Sequence, residues 1–125
     1  MATRPTRPTR LVDDQARVAL PLTPIVMHIL LALVDRDRHG LGIAEHIEEF
    51  TAGRVSLGPG TLYGAIKRLL ETGLVEDVES GPKDDSQDPR RRYYTITPVG
   101  QRALELETRR LADVLDVARV KRVIR

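Results

Sequence analysis

The chain has 125 residues, with 20 Lys and Arg against 18 Asp and Glu, a net charge of +2 and a pI near 9.3. One domain with an appendage fits that length. Three tyrosines, one phenylalanine and no tryptophan leave the core to Leu, Ile, Val and Ala, which favours helices. The absence of cysteine excludes a disulfide framework, a thiolate zinc site and a cysteine nucleophile. No apolar run reaches the ~18 residues of a membrane span, so a cytoplasmic protein without membrane contact is expected.

Residues 1–10 repeat a Thr-Arg-Pro unit, and proline at every third place predicts an extended basic arm. Arg4, Arg7 and Arg10 would follow a phosphate backbone, or the arm is simply a solubilising tail. A short helix is predicted over residues 11–20. Thr23 and Pro24 carry a cap-then-proline start signal, and Leu22, Ile25, Val26, Ile29, Leu30, Leu33 and Val34 recur at helical spacing behind it. His28 lies beside that stripe and reads as structural.

The next helix is predicted over residues 41–52, with Ile43, Ile47 and Phe50 buried and Glu45, Glu48 and Glu49 facing water. His46 and Glu49 stand three apart, but one such pair does not make a metal site. Val55 and Leu57 could form a very short strand. The Gly58-Pro59-Gly60-Thr61 turn lacks the Lys-Ser/Thr ending of a nucleotide-binding loop. Its free N–H groups, beside the Ser56 and Thr61 hydroxyls, suit a DNA phosphate instead.

From Gly60 onward Leu62, Ile66 and Leu69 form the apolar stripe of a helix that Gly73 closes in a left-handed cap. At about 100° per residue the opposite face carries Thr61, Gly64, Lys67, Arg68 and Glu71, with Tyr63 at the border. A short basic face of small residues is suited to the major groove of DNA. Residues 74–79 and 91–97 read as two strands of a β-hairpin, joined by the polar loop 80–90. The triplet Arg90-Arg91-Arg92, followed by Tyr93, is the densest positive charge in the chain. Thr97 and Pro98 start a last helix predicted to run to residue 125. Its seam, with Leu104, Leu111 and Ala118 spaced by seven and Val114 and Leu115 alongside, is too long for one small core to cover and predicts pairing with a second copy.

The predicted fold is mainly α with a small β-hairpin: an arm over 1–20, a winged helix-turn-helix over 21–97 and a dimerisation helix over 98–125. In that arrangement the third helix enters the major groove and the hairpin touches the flanking backbone. The motifs His39-Gly40-Leu41-Gly42-Ile43-Ala44, Gly60-Thr61-Leu62-Tyr63-Gly64-Ala65-Ile66-Lys67-Arg68-Leu69 and Arg91-Arg92-Tyr93-Tyr94-Thr95-Ile96-Thr97-Pro98-Val99-Gly100 resemble the PadR family of transcriptional regulators. The similarity covers about residues 22–105 and departs from the family pattern at Gly42, usually Tyr, at Gly64, usually Pro, and in having no Trp in the first wing strand.

The resemblance implies a homodimer that binds a palindromic operator on double-stranded DNA, usually as a repressor and often released by a small effector. It places Thr61, Tyr63, Lys67 and Arg68 on the recognition helix, Arg91 and Arg92 on the wing, and dimerisation on the helix after Thr97. With Ser56, Gly60, Arg90 and Tyr93 these form the expected DNA-binding set. Arg68 is expected to read bases and Arg92 only to add affinity. No catalytic residue, metal or cofactor is expected. The alternative is a winged-helix protein-interaction module that does not bind DNA.

Overall fold

In the computed structural model, which describes residues 6–78 and 92–125, the first helix, α1 (Thr6–Val18), starts earlier than expected. Pro8 is its third residue, inside the first turn, where the missing N–H has no intrahelical partner to lose. The extended arm expected over 1–10 is therefore corrected from Thr6 onward, while Arg4 lies outside the described residues.

The start signal at Thr23 holds. Helix α2 (Pro24–Leu33) begins with the Val26 N–H donating to Thr23 Oγ1 at 3.2 Å, and it buries Ile29, Leu30, Ala32 and Leu33. Arg38 closes its far end by donating from Nε to the Ala32 carbonyl at 2.6 Å. Two polar residues, β1 (Arg38–His39), then form a strand that no alternating pattern announced. His39 also caps α3 (Gly40–Phe50), its Nδ1 accepting the Gly42 N–H at 3.0 Å.

Ile43 and Ile47 are buried as expected, but Phe50 is 76% exposed. It ends its helix at the margin of the core, where Ala52 and Gly53 turn the chain with positive φ, and its ring rests on His46 instead. The short strand expected at Val55 and Leu57 does not form, because the Val55 N–H is taken by Thr51 Oγ1 at 3.0 Å.

Helix α4 (Pro59–Glu71), strands β2 (Val75–Val78) and β3 (Tyr93–Ile96), and helix α5 (Pro98–Val120) complete the order. The expected hairpin of β2 and β3 is real. It belongs to a three-stranded antiparallel sheet of order β1-β3-β2, in which His39 faces Tyr93 and Asp77 faces Tyr94. The core lies between α2, α3, α4 and the sheet, built from Leu30, Ile43, Ile47, Ile66, Leu69 and Val75. Ala16 of α1 and Ala103 and Leu104 of α5 close it.

The first turns of α5 are thus part of the domain, and Leu104, expected in the dimerisation seam, is instead 5% exposed in this core. Past it the helix leaves the core: Val114 and Leu115 are exposed, and Leu111 and Ala118 are half-buried. It stops at Val120, short of residue 125, because Arg122 takes a left-handed φ of 63° that ends the helical run.

Candidate nucleic-acid interface

Helix α4 is fixed from behind. Leu62, Ala65, Ile66 and Leu69 are buried, so one face is committed to the core and the opposite one to the outside. Thr61, Lys67, Arg68 and Glu71 are exposed there, and Gly64 sits among them. The helix starts on Gly58 with no side-chain cap, which leaves the amides at Gly60 and Thr61 free of one, beside the exposed Ser56. Such a helix start carries positive potential and donors suited to a phosphate.

Three glycines here are not demanded by packing. A Cβ on Gly58, Gly60 or Gly64 would meet nothing within 4 Å. Gly64 also costs its helix about 1 kcal/mol relative to alanine. The bare backbone leaves this face approachable by a bulky surface.

The outward residues are not equivalent. Taking 100° per residue, Gly64, Lys67 and Glu71 lie directly opposite the buried stripe, and Arg68 and Thr61 lie toward one edge. On that edge Arg68 lines a recess of about 250 Å³ together with Val18, Ala19, Leu22, Thr72 and Leu74. On the other edge Tyr63 is 48% exposed, and its ring covers Gly40, where any Cβ would collide with it. Tyr63 thus serves the α3–α4 contact as well as the surface.

The wing divides similarly. Arg92 is exposed and pairs with Asp77 at 3.4 Å. A surface pair of this kind contributes about 0–1 kcal/mol and exchanges readily for a phosphate. Tyr93 is half-buried with its ring edge-on to His39 at 5.3 Å, so it ties β3 to β1. Burial, reinforced by Asp77, raises the pKa of the Tyr94 phenol, so Tyr94 stays neutral in the core. Arg90 and Arg91 lie outside the described residues.

Two positioning groups carry no sequence signal strong enough to find. His39 caps α3 and packs on the wing, yet histidine is not a favoured N-cap residue. Glu107 is 2% exposed on α5, where its carboxylate accepts from Arg110 at 2.8 Å and from the Leu22 N–H. The Arg110 hydrogen bonds hold its pKa below the ordinary carboxylate range against the opposing effect of burial. The one hint was Arg110 three residues further on. Among the described residues no cluster of three His, Asp or Glu could hold a metal.

This geometry has close counterparts. The model of the PadR-like family of transcriptional regulators matches residues 29–106, which is more than half of the chain. The chain belongs to that family. The matched residues run from the second half of α2 into the first turns of α5, so they contain α3, α4 and both strands of the wing. A PadR family transcription regulator from hypervirulent Clostridium difficile R20291 is 26% identical, with a TM-score of 0.65 over 78% of this chain and 96% of that one.

A transcriptional regulator from Clostridium thermocellum, 24% identical, shares the fold with a TM-score of 0.65 over 90% of this chain and 96% of its own. A 37.1 kDa protein in transposon TN4556 of Streptomyces fradiae is 38% identical over 86 residues. That match takes in 69% of this chain, and the chain spans only 22% of the length of that relative. This member of the PadR-like family is therefore a winged helix with a long C-terminal helix.

Proposed function

We propose that this PadR-like regulator acts in the cytoplasm as a homodimer on a palindromic operator, as a repressor that a small effector releases. The observation that carries this reading is the outward face of α4, where Gly64 and Lys67 lie opposite a fully buried stripe behind an uncapped helix start. Lys67 stands at the centre of that face and reaches base edges. Arg68, at the edge beside α1, and Arg92 on the wing neutralise phosphates. This shifts base reading toward Lys67 from the Arg68 that the sequence favoured.

Dimerisation through Leu111, Val114, Leu115 and Ala118 would set two α4 helices about 34 Å apart, one turn of DNA. The exposure of Val114 and Leu115 supports it, since a helix stripe left open to water commonly marks an interface. An effector would act through the same geometry, because any tilt of α5 changes that spacing.

The test is a fluorescence titration with fragments from around the protein's own locus, comparing the parent with Lys67→Ala, Arg68→Ala and Arg92→Ala. All three should bind more weakly, and only Lys67→Ala should change base preference. Unchanged affinity in all three would take the DNA off these residues, and a parent that binds none of the fragments would favour the protein-interaction module instead.

A further inference from the structure

On the α1 side of Arg68 lies the recess of about 250 Å³, set between the end of α1, the turn into α2 and the second half of α4. Val18, Ala19, Leu22, Val26, Leu69 and Leu74 give it aliphatic walls. Leu22, Leu69 and Leu74 are buried, so the core fixes its floor, while Val18 is 85% exposed and forms its rim. Neither a carboxylate nor an aromatic ring lines it, and Arg68 is its one charged group among the described residues.

The polar groups of the recess differ in what they have left to give. The Thr72 hydroxyl donates to the Arg68 carbonyl at 2.9 Å, and Thr23 Oγ1 accepts the Val26 N–H at 3.2 Å, so both are engaged on their own helices. The Arg68 guanidinium and the Gln15 amide have no hydrogen bond or ion pair with any described residue. An arginine fork without a counter-ion beside an apolar wall selects an anion, and a carboxylate matches it with two parallel hydrogen bonds. A space of this size equals the liquid volume of roughly eight waters and falls below the ~300 Å³ at which drug-sized pockets begin. The walls offer no ring for stacking. The matching occupant is therefore small, aliphatic and singly negative.

We propose that this recess binds a short-chain aliphatic carboxylate, with its chain on Leu22, Val26 and Leu69 and its carboxylate on Arg68, and that this ligand competes with DNA. The site stands on the recess alone, and the competition rests on the DNA-binding role proposed above. Arg68 is then sought by two anions, the ligand and a DNA phosphate, and can neutralise only one of them. Each weakens the binding of the other by the same factor. This route acts at the DNA face itself, alongside any tilt of α5.

Hexanoate is the probe, with hexanol, hexylamine and acetate as controls. Methyl NMR of the full chain without DNA should show hexanoate shifting Val18, Leu22, Val26 and Leu69 saturably, at least about tenfold more tightly than any control, as one charged hydrogen-bonded pair allows. Arg68→Ala should erase the preference for hexanoate over hexanol. Val18→Glu, a change at an exposed position, should block hexanoate by placing a carboxylate at the rim. From butyrate to hexanoate, affinity should rise by up to about fourfold per methylene, and it should level off by octanoate as the recess fills. On operator DNA, saturating hexanoate should weaken the parent severalfold and bring its salt slope to the Arg68→Ala value, and that variant should not respond. Absent shifts, or equal affinity for hexanoate and hexanol, overturn the site. Shifts at the recess with unchanged operator affinity overturn the competition. A parent that takes up hexanoate there and binds no DNA fragment overturns the DNA-binding role and leaves the site standing.

Discussion

Gly64 separates folding from function at a single atom. Nothing within 4 Å would meet a Cβ there, so Gly64→Ala should raise stability by about 1 kcal/mol through helix propensity alone. If the groove floor passes over this position, the same methyl group should weaken operator binding. Thermal melting and anisotropy titration on one preparation read both effects, and a stabilised variant with unchanged affinity would move the DNA off this face. Glu71 lies two turns on, about 10 Å along the same exposed face, and its carboxylate would repel a DNA backbone laid against this face. Glu71→Gln should therefore tighten binding at low salt and have little effect at high salt, which a titration at two ionic strengths resolves.

The start of α5 is fastened to the end of α4 by one residue. Thr97 Oγ1 accepts the Gly100 N–H at 3.0 Å and donates to the Gly73 carbonyl at 2.7 Å, while the Thr97 N–H binds the Leu74 carbonyl. Gly100 lets these chains meet, since a Cβ there would strike the Leu74 carbonyl oxygen. Thr97→Ala should cost about 1–2 kcal/mol in a denaturant melt and loosen the angle between the two helices. Glu107 anchors the same helix further along. Because its pKa is lowered in the folded state, its contribution is present above the usual carboxylate range near ~4.3 and lost as pH falls through the folded value. Glu107→Gln should lower neutral-pH stability by about 1–3 kcal/mol and flatten the acid limb of the stability curve.

Elements with a periodic stripe or a start signal were legible in the sequence: α2, α4, the β2–β3 hairpin and the opening of α5. Those held by one side chain or a short contact were not. The two polar residues of β1 pair only because Tyr93 and Tyr94 are opposite them. Phe50 lost its burial to a turn three residues long, and helical spacing could not tell that Leu104 faces its own core while Leu111 leaves it. The exposed basic set on α4 was readable, but the recess that Arg68 lines beside α1, on which the proposed preference for Lys67 rests, was not.

For the whole molecule, the number of copies on one operator is encoded in salt dependence. Each phosphate neutralised contributes ~0.9 to the slope of log affinity against log salt. A single winged helix would therefore lose about 0.9 of slope on Arg68→Ala, proposed above to neutralise a phosphate, and a two-fold pair about 1.8. Pairing should fail when charge enters the open part of the seam, where Leu115 is 46% exposed beside the half-buried Leu111. Leu111→Glu with Leu115→Glu should leave the domain folded, because its core ends near Glu107, and should sediment as one copy. On that variant the Arg68→Ala change in slope should fall to the single-copy value. A pair-sized change persisting in a monomeric protein would mean that two copies meet only on DNA, and the seam would then serve another surface.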